Sequence, residues 1–159
     1  MSDAASTPDS LVTPLAQAAA VPVPPAYELA GRFPLTPNAH PATDAERAKA
    51  LTDLHFGKVF SDHMAHARWT RGEGWGSHET VAFGDISLSP AAAVLHYGQE
   101  VFEGIKAYRH ADGSIWTFRP EMNAERMKRS AARLALPELP TEYFIESLRQ
   151  LIAVDARWV

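Results

Sequence analysis

The chain has 159 residues, enough for about one domain, and its hydrophobic and charged fractions of 46% and 21% are ordinary for a globular protein. A formal net charge of −4 offers no attraction to nucleic acid or to an anionic membrane, so neither is expected as a partner. Cysteine is absent, which excludes a disulfide scaffold and a thiolate zinc site and agrees with a cytoplasmic location. No apolar run approaches the ~20 residues of a membrane span.

Proline sets the first part of the chain apart from the rest. Eight of the twelve prolines lie between Pro8 and Pro41. No lysine or arginine precedes Arg32, which argues against a secretory signal and an arginine-rich transit peptide. We predict a flexible tail over residues 1–26, then an irregular lead-in over 27–54. One short helix is expected within that lead-in, near residues 44–54, capped by Thr43 or Asp44.

The middle of the chain predicts antiparallel strands joined by turns. A strand is expected from Val59 through Trp69, and Gly72, Gly74 and Gly76 then form a turn. One short helical turn, over residues 96–102, is predicted to end at Gly104. The remaining β-prone segments are residues 80–83, 86–88, 105–108 and 115–118, the last two as a hairpin.

Two helices are predicted near the end of the chain. Pro120 suits a first helical position, and residues 120–136 are rich in strong helix formers. Pro137 and Pro140 force a break, after which Thr141 is expected to cap a helix reaching residue 157. Strands followed by helices within one domain indicate an α+β fold, with both helices packed on the strands.

The spacing of charged residues leaves the type of site open. Arg126, Arg129 and Arg133 recur at helical spacing, which fits a solvated basic face or an anion site. His63 and His66 lie three apart in a predicted strand and so point to opposite faces, and no metal site is predicted.

Three ordered motifs carry a resemblance to a known family, the branched-chain amino acid aminotransferases. The longer form of that family, which belongs to pyridoxal phosphate fold type IV, is similar to this chain over residues 27–159. The similarity is to the N-terminal portion only. The matching residues are Phe56, Gly57, Phe60, Asp62, His63 and Met64; His96, Tyr97, Phe102, Glu103, Gly104, Lys106 and Tyr108; and Arg119, Pro120, Asn123, Arg126 and Met127.

The resemblance implies a function and a set of site residues. It implies the small N-terminal domain of a cytoplasmic transaminase, a homodimer when full length. Its substrates would be leucine, isoleucine or valine with 2-oxoglutarate. Pyridoxal 5'-phosphate would be the cofactor, with its phosphate held by Arg126. The substrate side chain would lie against Phe56, Tyr97 and Phe102, where each buried methylene is worth about 0.8 kcal/mol.

The resemblance also implies that the lysine forming a Schiff base with the cofactor lies beyond Val159. Of the four lysines here, Lys106 lies within a motif, but at a position that is not the Schiff-base lysine. We therefore expect this chain alone to be inactive. Two alternatives stay open: a D-amino acid transaminase or aminodeoxychorismate lyase of the same fold, and a non-catalytic module that binds an anion or a partner.

Overall fold

The computed structural model describes residues 31–159, which form a small α+β structure. The predicted tail over residues 1–26, and the first four residues of the lead-in, lie outside this range. In chain order the elements are α1 Asp44–Thr52, β1 His63–Thr70, β2 Gly74–Ala82, α2 Ala93–Tyr97, β3 Ala107–Arg109, β4 Ile115–Thr117, α3 Pro120–Arg133 and α4 Thr141–Val154. A short 3-10 turn, Ala156–Trp158, follows α4.

The strands β1 and β2 form an antiparallel ladder that pairs His63 with Ala82 at one end and Thr70 with Gly74 at the other. The predicted turn is confirmed around Gly72, but Gly74 and Gly76 belong to β2. A β-bulge interrupts the register in the middle of the ladder, and Ser77 at that point has a φ of 46°. The lead-in runs beside β2, because the peptide groups of Pro34 and Thr36 bond to Thr80.

Helix α1 confirms the predicted helix and its cap. The hydroxyl of Thr43 accepts from the backbone N–H of Glu46, and the carboxylate of Glu46 accepts from the backbone N–H of Thr43. This reciprocal capping box satisfies two donors that a helix N-terminus otherwise leaves unpaired.

Three predictions for the middle of the chain are wrong. Strand β1 begins at His63 rather than at Val59, and the side chain of Asp62, just before it, bonds to Ala42 and Trp158. Residues 86–88 form no strand, and Ile86 is 71% exposed. The short helix α2 ends at Gly98 rather than at Gly104, since Gly98 adopts the left-handed conformation that terminates helices.

The hairpin of β3 and β4 is confirmed, although each strand is shorter than predicted. Ala107 pairs with Thr117, and Arg109 pairs with Ile115. The turn between them is closed by the N–H of His110, which donates to the carbonyl of Ser114 at 2.8 Å.

Helix α3 begins with Pro120 as predicted and ends in a Schellman motif. The N–H of Leu136 donates to the carbonyl of Ala131, and that of Ala135 donates to the carbonyl of Ala132. Ala135 has a φ of 55°, a left-handed conformation that usually selects glycine. The helix therefore ends on a strained alanine.

Helix α4 begins at Thr141, so the predicted cap by Thr141 is wrong. Thr141 is the first helical residue, and its hydroxyl donates to the Glu125 carboxylate on α3 at 2.5 Å. The prediction that both helices pack on the strands holds for α4, which packs on β1 and β2, whereas α3 packs mainly on α4. An apolar cleft of about 350 Å³, lined by Trp69, Trp75 and Met127 among others, lies between α3 and the ladder.

The interior is small and partly polar. Phe33 is 2% exposed and packs against the rings of His78 and Tyr143. Gln150 on α4 and Thr80 on β2 are also fully buried. Among residues 31–159, no helix has the length and apolar character needed to cross a bilayer.

Candidate functional site

An open cleft runs along one side of α3. It has a volume of about 420 Å³, and the side chains on its helical wall are Arg126, Arg129, Ser130 and Arg133. The opposite wall is the segment after α2, with residues Glu100, Val101 and Phe102. We call this the arginine cleft. The amide of Gln99 donates to the carbonyl of Leu134 at 2.9 Å, which ties the second wall to the end of α3.

Arg126 forms a two-point ion pair with Glu103. Its Nε donates to Oε2 at 2.8 Å, and its Nη2 donates to Oε1. The Glu103 side chain is only 5% exposed, while that of Arg126 is 62% exposed. The buried carboxylate of Glu103 thus holds the guanidinium of Arg126, which remains open to the cleft.

The pair changes the acidity of both groups. The hydrogen bond from Arg126 lowers the pKa of Glu103 most, and burial of the carboxyl opposes it. A hydrogen bond from Asn123 and the positive charge of Arg126 lower the pKa further. The pKa of Glu103 falls from 4.5 to about 2. The same hydrogen bond raises the pKa of Arg126, so both groups are charged at neutral pH.

The predicted aromatic residues are all strongly exposed. Phe56, Tyr97 and Phe102 are 93%, 86% and 79% exposed, respectively. The structure brings Phe56 and Phe102 together with their ring centres 6.3 Å apart in an edge-to-face arrangement, and the ring of Tyr97 contacts His96. Within residues 31–159, Phe56 and Phe102 form an exposed apolar surface at the edge of the arginine cleft rather than an enclosed pocket, and Tyr97 makes no ring contact with either of them.

His63 and Asp155 form the buried counterpart of this open site. The His63 Nε2 accepts from the N–H of Asn38 at 2.9 Å, so the ring proton lies on Nδ1 and donates to Asp155 at 2.7 Å. The other oxygen of Asp155 accepts from the backbone N–H of His63 at 2.9 Å. His66 lies apart on the strand, half-exposed, with its Nε2 3.3 Å from Glu79.

Asp62 extends these contacts to the end of the described chain. Its carboxylate accepts from the N–H of Ala42 and from the indole of Trp158, each at 2.8 Å. Burial acts to raise the pKa of Asp62, but these hydrogen bonds outweigh it, so the pKa lies below its ordinary value. We call Asn38, Asp62, His63, Asp155 and Trp158 the anchoring network, because they join the lead-in to the end of α4.

Sequence reasoning missed the side chains that bond to Arg126 in the cleft and to Asp62 and His63 in the anchoring network. Glu103 was recognised as a motif residue without a role, and Asp155 and Trp158 were not singled out. The only signal for Glu103 was its position beside Phe102 in the motif, 23 residues from Arg126. His96 is hydrogen-bonded, with its Nε2 2.7 Å from the carbonyl of Pro90.

The arginine cleft has the chemistry of a phosphate site. A guanidinium offers a planar fork of donors that matches phosphate oxygens, and three such groups line one opening here. Three arginines against Glu100 and Glu103 leave a net charge of +1 around the cleft. The site fits a small phosphorylated compound that presents an apolar or aromatic part to Phe102.

No family model matches the sequence. Several individual proteins are similar to it. The chain is 58% identical over 127 residues to the branched-chain-amino-acid aminotransferase of Mycolicibacterium smegmatis, a match of 80% of this chain and 34% of that protein. The cytosolic branched-chain-amino-acid aminotransferases of Saccharomyces cerevisiae and Mus musculus are 46% and 41% identical over 111 and 119 residues. Those matches cover 70% and 75% of this chain and 30% and 31% of the relatives.

The chain spans about a third of the length of the curated relatives it matches. Identity this high over most of the chain agrees with the three motifs, two of which supply the arginine cleft. The chain is thus a relative of the branched-chain-amino-acid aminotransferases over about one third of their length.

Proposed function

We propose that this chain is the small N-terminal domain, residues 27–159, of a fold type IV aminotransferase that acts on branched-chain amino acids. The whole protein would exchange the amino group between leucine, isoleucine or valine and 2-oxoglutarate. The observation that carries the proposal is the arginine cleft, with Arg126 on its helical wall, in a chain 58% identical to such an enzyme. The printed names of the relatives favour this activity over a D-amino acid transaminase or an aminodeoxychorismate lyase.

Arg126 would hold the phosphate of pyridoxal 5'-phosphate. Its exposed guanidinium faces the cleft, and Arg129 and Arg133 add positive charge farther along the same wall. Charge-assisted hydrogen bonds of this kind are about twice as strong as neutral ones. When bound, the cofactor would supply the electron sink that lets an amino acid exchange its amino group.

Phe56, Tyr97 and Phe102 would contact the substrate side chain. Leucine, isoleucine and valine offer only apolar surface, so recognition depends on how much of it is buried. Because these rings are exposed here, the pocket would need a second wall from outside residues 31–159. The remaining two thirds of the relatives' length, or a second subunit of a homodimer, would supply that wall.

The lysine that forms a Schiff base with the cofactor would also come from outside this chain. No lysine is among the residues that line the arginine cleft, and Lys128 lies near Glu125 at 3.8 Å. We therefore expect residues 1–159 alone to show no transaminase turnover. Turnover that disappears on Lys106→Ala would contradict this expectation.

A chimaera tests the proposal directly. The 127 matching residues of the Mycolicibacterium smegmatis relative would be replaced by those of this chain, and amino transfer from leucine, isoleucine and valine measured. We expect the chimaera to transaminate all three amino acids. A chimaera that folds and binds the cofactor yet transfers the amino group from none of them would contradict the proposal.

The whole protein would act in the cytoplasm, since the relatives from yeast and mouse are named as cytosolic.

A non-catalytic module that binds an anion remains the second candidate, because the arginine cleft lies wholly within this chain. Phosphate binding by a chain whose chimaera lacks activity would favour it.

A further inference from the structure

We propose that Glu103 is a positioning residue, which fixes the guanidinium of Arg126 so that one of its two hydrogen-bonding edges faces the arginine cleft before any ligand binds. This inference rests on the proposed phosphate site. It adds a residue to which none of the preceding assignments gives a part in ligand binding.

A guanidinium has two edges that can each make a bidentate contact. One edge presents Nε and Nη2, and the other presents Nη1 and Nη2. Glu103 accepts from Nε and Nη2 and so occupies the first edge. Among residues 31–159 no acceptor is bonded to Nη1, so the second edge is left to the cleft. A phosphate can meet that edge while the ion pair with Glu103 remains intact.

The carboxylate of Glu103 is itself held from several directions. Its Oε1 accepts from the side-chain amide of Asn123 at 2.9 Å and from the N–H of Gly104 at 3.1 Å. The Asn123 amide also donates to the carbonyl of Gly104 at 2.9 Å, which ties the loop to α3. A 5% exposed carboxylate with these partners is a rigid base for a side chain that is 62% exposed.

Two physical effects of Glu103 on anion binding have opposite signs. As a negative charge near the cleft, it weakens binding of any anion through simple electrostatics. As a positioning residue, it strengthens binding, because an exposed arginine otherwise loses side-chain freedom when it captures a ligand. The sign of the change when the charge is removed therefore distinguishes the two roles.

The test is a titration of residues 1–159 with inorganic phosphate at pH 7.5, followed by the arginine Nε–Hε signals in NMR spectra. Glu103→Gln keeps the size of the side chain but removes its charge. We expect this variant to bind phosphate about three- to tenfold more weakly, the loss expected when one long side chain must be ordered on binding. Equal or tighter binding would overturn the proposal.

Glu100→Gln is the matched control, because Glu100 lines the same cleft but, within the described chain, forms no ion pair with Arg126. It removes the same charge, and we expect it to bind phosphate more tightly. Weakening of the same size in both variants would show a general loss of structure and overturn the assignment to Glu103.

Arg126→Ala separates this proposal from the phosphate site on which it rests. If Arg126→Ala weakens binding and Glu103→Gln does not, the phosphate site stands and the positioning role fails. If Arg126→Ala binds as the unmodified chain does, both fail. In the double variant, Glu103→Gln should add nothing to the loss from Arg126→Ala.

A measurement on the unmodified chain keeps the proposal testable if Glu103→Gln does not fold. The order parameter of the Arg126 Nε–Hε bond should be clearly higher than those of Arg129 and Arg133, which have no ion pair among the described residues. Equal mobility of all three arginines without ligand would overturn the proposal.

Discussion

One short motif supplies residues to two regions with opposite surroundings, the anchoring network and the exposed surface beside the arginine cleft. Asp62 and His63 are drawn into contacts with Asn38, Asp155 and Trp158, where their hydrogen-bonding groups are met by other parts of the chain. Phe56, a few residues earlier, is 93% exposed at the edge of the cleft. A shared motif therefore does not mean a shared role, and burial separates residues that build the fold from residues that face a ligand.

The largest expected effect lies in the network. His63→Ala removes the ring N–H that donates to the buried Asp155 carboxylate, which should lower the free energy of unfolding by about 3 kcal/mol, because an unmet charged acceptor is costly to bury. Urea denaturation followed by circular dichroism measures the loss. His66→Ala, on the exposed face of the same strand, should cost less than about 0.5 kcal/mol. Similar losses at both positions would remove the distinction between a buried and an exposed histidine.

The next effect concerns binding in the cleft. In the chimaera, Arg126→Ala should raise the dissociation constant of pyridoxal phosphate about tenfold to a hundredfold, the loss expected from a charged hydrogen-bond partner. Arg129→Ala and Arg133→Ala, on the same wall, should raise the dissociation constant less, since neither guanidinium is fixed by an ion pair with a carboxylate among the described residues. Equal effects at all three would indicate a diffuse basic face, and fluorescence titration of the cofactor makes the comparison.

A smaller effect is expected where α3 ends, outside both regions. Ala135→Gly should raise the free energy of unfolding by about 1 kcal/mol, because glycine adopts a φ of 55° without the steric cost that alanine bears. Ala132→Gly, three residues earlier in the helix, should instead lower it by about 1 kcal/mol. Opposite shifts of the denaturation midpoint at unchanged slope would confirm both assignments.

The smallest effect links the Glu103–Arg126 pair to pH. The folded state lowers the pKa of Glu103 from 4.5 to about 2, so the pair stabilises the fold above pH 4.5. That stabilisation, about 1 kcal/mol for a pair with one exposed partner, is lost as the pH falls from 4.5 to about 2. The difference in unfolding free energy between the unmodified chain and Glu103→Gln should shrink over that range. A difference that is as large at pH 2 as at pH 7 would contradict the ion pair.

Local signals in the sequence predicted local structure well. Thr43 and Glu46 lie three residues apart, and Pro120 marks a helix start by its own geometry, so both features are visible without the fold. Thr141 looks equally like a cap, but its hydroxyl reaches the Glu125 carboxylate on another helix. Residues 86–88 are β-prone, yet a strand also needs a neighbour, which the described chain does not give them.

The motifs pointed to single residues of the candidate site, but not to contacts that span long stretches of chain. Arg126 was recognised from its motif, but its partner Glu103 lies 23 residues away, a separation with no periodic signature. Asp155 lies 92 residues from His63, and only the fold brings them together. The exposure of Phe56 and Phe102 was likewise outside the reach of sequence, because an apolar side chain reads as core until its surroundings are known.

The anchoring network can be completed only late in the synthesis of the chain. Asp62 leaves the ribosome 96 residues before Trp158, and His63 leaves 92 residues before Asp155. At ~5–20 residues per second, Asp62 and His63 wait about 5–20 seconds for Trp158 and Asp155 to be made. The bonds of the lead-in to Thr80 and Asp62 join parts of the chain that are made early, whereas those of Asp155 and Trp158 form only after α4 has been made. A nascent chain halted before Asp155 therefore lacks the two groups that join the lead-in to the end of α4.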